Sequence, residues 1–301
     1  MGGVNRFYSG GGSWIIGASG LGEATGGVLR LPLGGGASVA FSSQPWPNRH
    51  RSRSIQKGAI LVGPGLDLAG EGVGFGLPVA FYGGRPVFST HASLEATDGG
   101  ARKVFTMDAA STKRWSSRLL SGLPGPGALF DGWLMGNLSG MYRSRGFAQV
   151  VANGFWRLER STGAIEHGFA PTSPRGSVSV EYAVAPGTIR VSVDPSGLST
   201  GCERLCLMNE LDARVFDSYD DSGGARLLGW RVGAWSPVDA DWARFSARDG
   251  STSFRLRRVE GARMFRGREI VPGHLSWAGL AYEVVAPLRG FGYAVEVGGP
   301  T

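Results

Sequence analysis

Apolar and polar residues alternate with a period of two along much of this chain. Val178, Val180, Tyr182 and Val184 share one face of a stretch starting at Ser177. Ile189, Val191 and Val193 share one face of the next, and Pro186-Gly187 lies between them. Such alternation is the mark of half-buried strands, and the Pro-Gly pair predicts a hairpin. Val79–Tyr82 and Pro86–Ser89 flank Gly83-Gly84 in the same way, and strands over 28–33 and 37–41 flank Gly34-Gly35-Gly36. Further strands are expected over 56–62, 103–108, 148–160, 205–208, 227–235, 254–257, 279–286 and 291–297. A helical stretch is expected only over 111–120 and few other places. The tally of about fifteen strands, with no repeat of fixed period, predicts an all-β protein. Its expected form is a large two-sheet antiparallel sandwich with little helix.

One stretch breaks the alternation. Gly70, Gly72, Gly74 and Gly76 recur at every second position. In an extended chain they would share a bare face, against which a strand, a ring or a ligand can lie flat. Glu71 would share the opposite face with Val73, Phe75 and Leu77. A carboxyl among apolar side chains has a raised pKa if unpaired, which suits a general acid. The plainer reading of Glu71 is a buried ion pair with Arg85 or another arginine.

Composition agrees with the pattern. The 301 residues include 51 glycines and nine tryptophans, and hydrophobic residues make up 42%. That is too apolar for a disordered chain. Residues 1–27 read as a glycine-rich arm and 28–301 as one large β domain. No stretch approaches a membrane span and the start lacks a signal-peptide pattern, so a cytoplasmic protein is expected.

The net charge is +7, and 28 of the 31 basic residues are arginine. A GC-rich coding bias is the plain explanation. The bases are scattered, so nucleic acid is not the expected partner. The dense run is 49–53, after Trp46; Trp46, Arg51 and Arg53 are candidates for an anionic ligand or an acidic partner. Its acidic counterpart is 212–221, with Tyr219 interleaved among four aspartates. It lacks calcium-loop spacing, so a solvated turn is expected there. Trp235 is a candidate to stack on a sugar ring. Cys202 and Cys206 lack metal-ligand companions and read as thiols. No nucleotide loop, Ser-nucleophile motif or histidine pair at metal spacing is present, and neither cofactor nor metal is expected.

The 177–194 hairpin and the many-stranded layout resemble the β-supersandwich group, which includes the galactose mutarotase-like proteins. The resemblance spans about 28–297. That family uses histidines as acid and a late carboxylate as base, with an arginine near the sugar. By order along the chain, the resemblance implies Arg85, His91, His167 and Glu269 for those places. Glu269 also stands among Arg266 and Arg268, where it is either a base held by arginines or a plain ion pair. The expected function is a carbohydrate-active or carbohydrate-binding protein using carboxylate and His acid–base chemistry on a small-molecule ligand such as a sugar. A non-catalytic assembly subunit using the basic and acidic loops, able to form a homo-oligomer, is the alternative. An enzyme for an apolar substrate in a Trp-lined pocket is the third reading.

Overall fold

The computed structural model describes residues 28–45, 55–63, 66–115, 165–233, 235–271, 275–287 and 289–299. Among them lie nineteen strands and a 3-10 turn. Four strands form a small sheet in sequence order: β1 (Val28–Gly34), β2 (Ala37–Ser42), β3 (Ile60–Gly63) and β4 (Leu66–Asp67). The remaining fifteen form one antiparallel sheet. They are β5 (Gly74–Tyr82), β6 (Arg85–Thr97), β7 (Gly100–Trp115), β8 (Ile165–Pro171), β9 (Ser177–Ala185), β10 (Thr188–Asp194), β11 (Arg204–Leu211), β12 (Phe216–Asp221), β13 (Arg226–Leu228), β14 (Ser236–Val238), β15 (Trp242–Ala247), β16 (Ser253–Arg257), β17 (Ala262–Val271), β18 (Leu275–Val285) and β19 (Phe291–Gly298). The spatial order is β13-β12-β15-β16-β19-β10-β9-β7-β6-β5-β11-β18-β17-β14, with β8 also on β7.

The two ends of that order, β13 and β14, are separated in sequence by residues 229–235 alone. Such a link spans at most about 28 Å. The sheet must therefore roll until its ends approach, which makes two layers with a shared core. Ring contacts record the meeting of the layers: Phe75 on Phe254 at 5.5 Å, and Tyr282 on Tyr293 at 4.8 Å. The small sheet docks on the same core through Phe41 on Tyr182 at 5.0 Å, and the Gly187 amide donates to the Leu33 carbonyl at 2.8 Å.

The expected hairpins at 28–41, 79–89 and 177–194 are present, the last in unbroken register from Val184↔Ile189 to Ser179↔Asp194. Four expectations change. Residues 111–115, expected to be helical, extend β7 and pair with β8, because cross-strand pairing overrides the weak local preference. The stretch 227–235 is broken by a 3-10 turn at Gly229–Arg231. The acidic stretch ends in strand β12 rather than a turn, since Phe216 and Tyr219 are buried and its carboxylates pair with arginines of β15 and the turn after it. The glycine repeat is not one flat strand: 70–72 turn, and β5 begins at Gly74, which takes φ +75°.

Candidate functional site

The glycine repeat lies against backbone and an aromatic ring. A β-carbon on Gly72 would fall 2.5 Å from the Glu210 carbonyl oxygen, and one on Gly74 2.5 Å from that of Ala59. One on Gly70 would fall 2.4 Å from the Asp212 carboxylate, and one on Gly76 3.0 Å from the Tyr182 ring. None of these can be accommodated without movement: Gly74 and Gly76 seat β5 against Ala59 and Tyr182, and Gly70 and Gly72 let the preceding turn press onto the end of β11. What it presses onto is acidic.

Glu210 stands at the centre. Its register neighbours are Gly74 on β5 and Gly279 on β18, and Gly279 in turn pairs with Gly267 on β17. The row Gly74–Glu210–Gly279–Gly267 therefore carries one side chain across four strands. Two indoles fill the space left by the glycines. Trp235 and Trp277 stack at 4.8 Å with planes 15° apart, and a β-carbon on Gly267 would fall within 3.0 Å of both. Trp277 is buried and Trp235 is the more exposed of the two. Glu269 pairs across the sheet with Trp277, two residues along β17 from Gly267, and so lies on the same face.

Both carboxylates are buried, Glu210 at 8% and Glu269 at 9% exposure. Burial pushes the Glu210 carboxyl up to about 7; the nearby Glu269 charge adds to the rise, while the Val73 amide bonded to it and the Lys57 ammonium oppose it. Lys57 is held over this corner by a 3.1 Å hydrogen bond to the Gly70 carbonyl. Near neutrality Glu210 is thus shared between acid and base forms, which is what proton transfer requires.

Asp212, just past β11, is locked in place. It accepts from Ser276 Oγ at 2.5 Å and from the Arg214 amide at 2.9 Å, and its other oxygen is 2.8 Å from the Arg214 guanidinium. Burial works against its charge, but these partners win and hold it below the usual carboxylate range. It frames the site and is tied too tightly to move a proton.

The sequence-predicted residues divide. Glu269 and Trp235 lie in this site. Glu71 is half-buried on the 70–72 turn that covers it. Arg85 is exposed at the far end of β5, opposite Tyr82. Eight residues separate Tyr82 from Gly74, about 27 Å of strand. His91 is on β6, with β5 and the segment around Gln56 between it and Glu210. A register shift in β6 turns it outward. There Asp108 takes the Thr90 amide at 2.7 Å, the Thr90 hydroxyl at 2.9 Å and His91 Nδ1. The His91 side chain is 81% exposed. His167 is in β8, opposite Lys113. Tyr219 is in the core, donating to Asp221 at 2.7 Å. Trp46, Arg51 and Arg53 lie outside the described residues, as do 1–27 and 122–127.

Glu210 and Lys57 escaped the sequence reading. The available signal was a carboxylate near the end of a mostly apolar strand, 205–211, and the rarity of lysine. Among the described residues no group of three His, Cys, Asp or Glu is placed to hold a metal, and no helix is long and apolar enough to cross a membrane.

No protein-family model matches the chain, and no curated protein does. Three solved structures are distantly similar. The 4-alpha-glucanotransferase from Thermococcus litoralis has a TM-score of 0.41 at 6% identity over 97% of this chain. The chain spans 40% of that enzyme's length. HI1317 has a TM-score of 0.37 at 9% identity, covering 96% of this chain and 100% of its own. The Slr1438 protein from Synechocystis sp. PCC 6803 has 0.32 at 10%, covering 88% and 93%. Similarity at this level carries no argument about chemistry, which rests on the geometry above.

Proposed function

We propose that this protein acts on carbohydrates by proton transfer at the Glu210–Glu269 pair. The observation that supports this reading best is two buried carboxylates on one sheet face, close enough for the charge of one to act on the other, beside an indole stack seated on glycines. Two carboxyls in one dry site do not both ionise readily, so one keeps a proton and serves as acid while the other serves as base. Sugars need that combination at neighbouring oxygens, and they offer an apolar ring face to an indole. Trp235 supplies that surface. Lys57 keeps the pair from being wholly neutral. His91, fixed by Asp108, stands apart from this centre and is given no part in it.

The test is a nuclear magnetic resonance screen of mono- and oligosaccharides for accelerated anomeric exchange, epimerisation or glycosidic transfer. E210Q and E269Q serve as controls. The reading expects turnover of at least one sugar, reduced by about 10²–10⁴-fold in either variant. Absence of both turnover and binding across the panel, or turnover unaffected by both substitutions, refutes it.

A further inference from the structure

The two outer faces of the rolled sheet differ in charge. On the face of β11, β18 and β17 most carboxylates have a basic neighbour: Arg214 at Asp212, Arg204 and Arg263 at Glu283, and Lys57 beside Glu210. The opposite layer carries an excess of arginine. Register places Asp220, Arg244, Arg255 and Glu296 in one row across β12, β15, β16 and β19. In the adjacent row Trp242 pairs with Arg257, and Arg190 of β10 pairs with Ala294. Four guanidinium groups thus face two carboxylates.

The pairing leaves positive charge over. Arg255 and Arg257 both donate to Glu296, each through Nε at 2.7 Å, so one carboxylate serves two arginines. Asp220 is taken by Arg244 at 2.8 Å. Arg190 is exposed, with no carboxylate partner among the described residues. The Trp242 ring lies 5.8 Å from the guanidinium carbons of both Arg244 and Arg255. Ala294, Ser192, Ser246 and Ser253 keep the ground between them low.

From these observations we infer that the outer face of β10, β19, β16 and β15 binds an anionic polysaccharide at a site separate from the Glu210–Glu269 pair; the choice of a glycan as ligand rests on the carbohydrate reading. Guanidinium forks match the planar oxygens of a uronate carboxylate or a sulfate ester. From β15 to β10 is three strand spacings, about 14 Å, which is longer than one sugar and calls for a chain. A groove of about 400 Å³ continues the face, lined by Arg102, Glu181, Ser192 and Asp194 among others. Its Glu181 and Asp194 carboxylates can accept hydrogen bonds from the hydroxyls of a glycan, which a phosphodiester backbone does not offer in such number. Trp242 is already covered by two arginines and offers no platform for a base, which also favours a glycan over a nucleic acid.

The experiment is isothermal titration of the full chain with polygalacturonate, dextran sulfate, neutral dextran and a single-stranded oligonucleotide at 50 and 200 mM salt. R190E/R257E and R190Q are compared with the native chain, and melting temperatures confirm that each is folded. The inference expects binding of polygalacturonate, dextran sulfate or both, weakening with salt. It expects at least a tenfold loss in R190E/R257E and a smaller one in R190Q. Preference between the two polymers identifies carboxylate or sulfate as the anion. Arg263→Gln, which replaces an exposed arginine on the other layer and outside the Glu210–Glu269 site, should bind the polymer normally. Polymer binding and sugar turnover are read separately, so a failed turnover test and a failed polymer test are separate outcomes. Failure to bind either polymer, binding unchanged in R190E/R257E, or tighter binding of the oligonucleotide overturns it.

Discussion

Replacing Glu210 with Gln should make the protein more stable at neutral pH while removing the proposed acid–base chemistry. In the fold the Glu210 carboxyl titrates near 7 rather than its usual 4.5, because burial disfavours its charge. Below about pH 4.5 the group is protonated whether the chain is folded or not, and contributes nothing to pH dependence. As pH rises from there, the unfolded chain releases this proton and the folded chain holds it. Stability therefore falls between about 4.5 and 7, then levels off. At 1.36 kcal/mol per unit, a rise of about 2.5 units is a loss of roughly 3 kcal/mol. Glutamine cannot titrate, yet its amide oxygen can still accept from the Val73 amide.

Urea unfolding at pH 5, 6, 7 and 8, followed by tryptophan fluorescence, gives the comparison. The stability of E210Q minus that of the native chain should grow by about 2.5 kcal/mol from pH 5 to 8 and flatten above 7. Lys57→Met should carry the native decline to higher pH, because the Lys57 ammonium opposes the rise of the Glu210 pKa. Parallel stability curves for E210Q and the native chain would show that Glu210 is not held out of water, and the reasoning would fail. Higher stability bought with lost chemistry is the trade expected at a site built for function.

Three further outcomes follow from the same packing. Asn209 Oδ1 accepts from the Gly76 amide at 3.1 Å and the Tyr293 hydroxyl at 2.9 Å inside the core. Asn209→Leu should cost about 2–4 kcal/mol by stranding both donors, and a double-mutant cycle with Tyr293→Phe should recover part of it. A β-carbon on Gly279 would lie 2.8 Å from Glu210 Cγ and 2.7 Å from the Asn209 carbonyl oxygen. Gly279→Ala should cost about 1–3 kcal/mol by denaturant unfolding, against a near-neutral Gly299→Ala, where the space is open. Lys103 is 1% exposed, donates to the Ser42 and Lys57 carbonyls at 2.6 and 2.7 Å, and is pushed down to about 7 by burial. Its unfolded form keeps its proton up to about 10.5, so this group makes stability rise from pH 7 to 10.5, by up to about 5 kcal/mol; Lys103→Met should abolish that rise.

The parts of the fold that were legible in the sequence are those fixed by local rules. The 177–194 hairpin needs only alternation and a turn residue, since Pro186 holds its own φ and Gly187 accepts φ +68°. Non-local pairing was not legible. Residues 111–115 become strand because β8, more than fifty residues later, lies beside them. The stretch 227–235 alternates like a strand but must carry the chain from one end of the sheet to the other, and it turns at Gly229–Arg231 to do so. The site divides by the same rule. Glu269 could be picked out among its arginines, and Trp235 as one of several tryptophans. Their junction with Glu210 could not, because it depends on the Glu210↔Gly279↔Gly267 register across three strands.

The glycine repeat connects these two levels. Its periodicity predicted a bare face with something lying flat against it. Four separate neighbours lie there: Asp212 at Gly70, the Glu210 backbone at Gly72, Ala59 at Gly74 and Tyr182 at Gly76. Each needs a missing β-carbon: Gly74 and Gly76 anchor the start of β5, and Gly70 and Gly72 let the turn before it close on the end of β11. That closure shields Glu210 from water, and burial in turn lifts its pKa into the range where it can both give and take a proton. A substitution at Gly72 should therefore act on Glu210 without touching its side chain. It would crowd the Glu210 carbonyl, open the cover and let the carboxyl fall back toward 4.5. In Gly72→Ala the decline in stability between pH 4.5 and 7 should shrink along with the proposed sugar turnover, and the two losses should track one another. A Gly72→Ala protein that is less stable yet keeps the full decline would separate the cover from the chemistry.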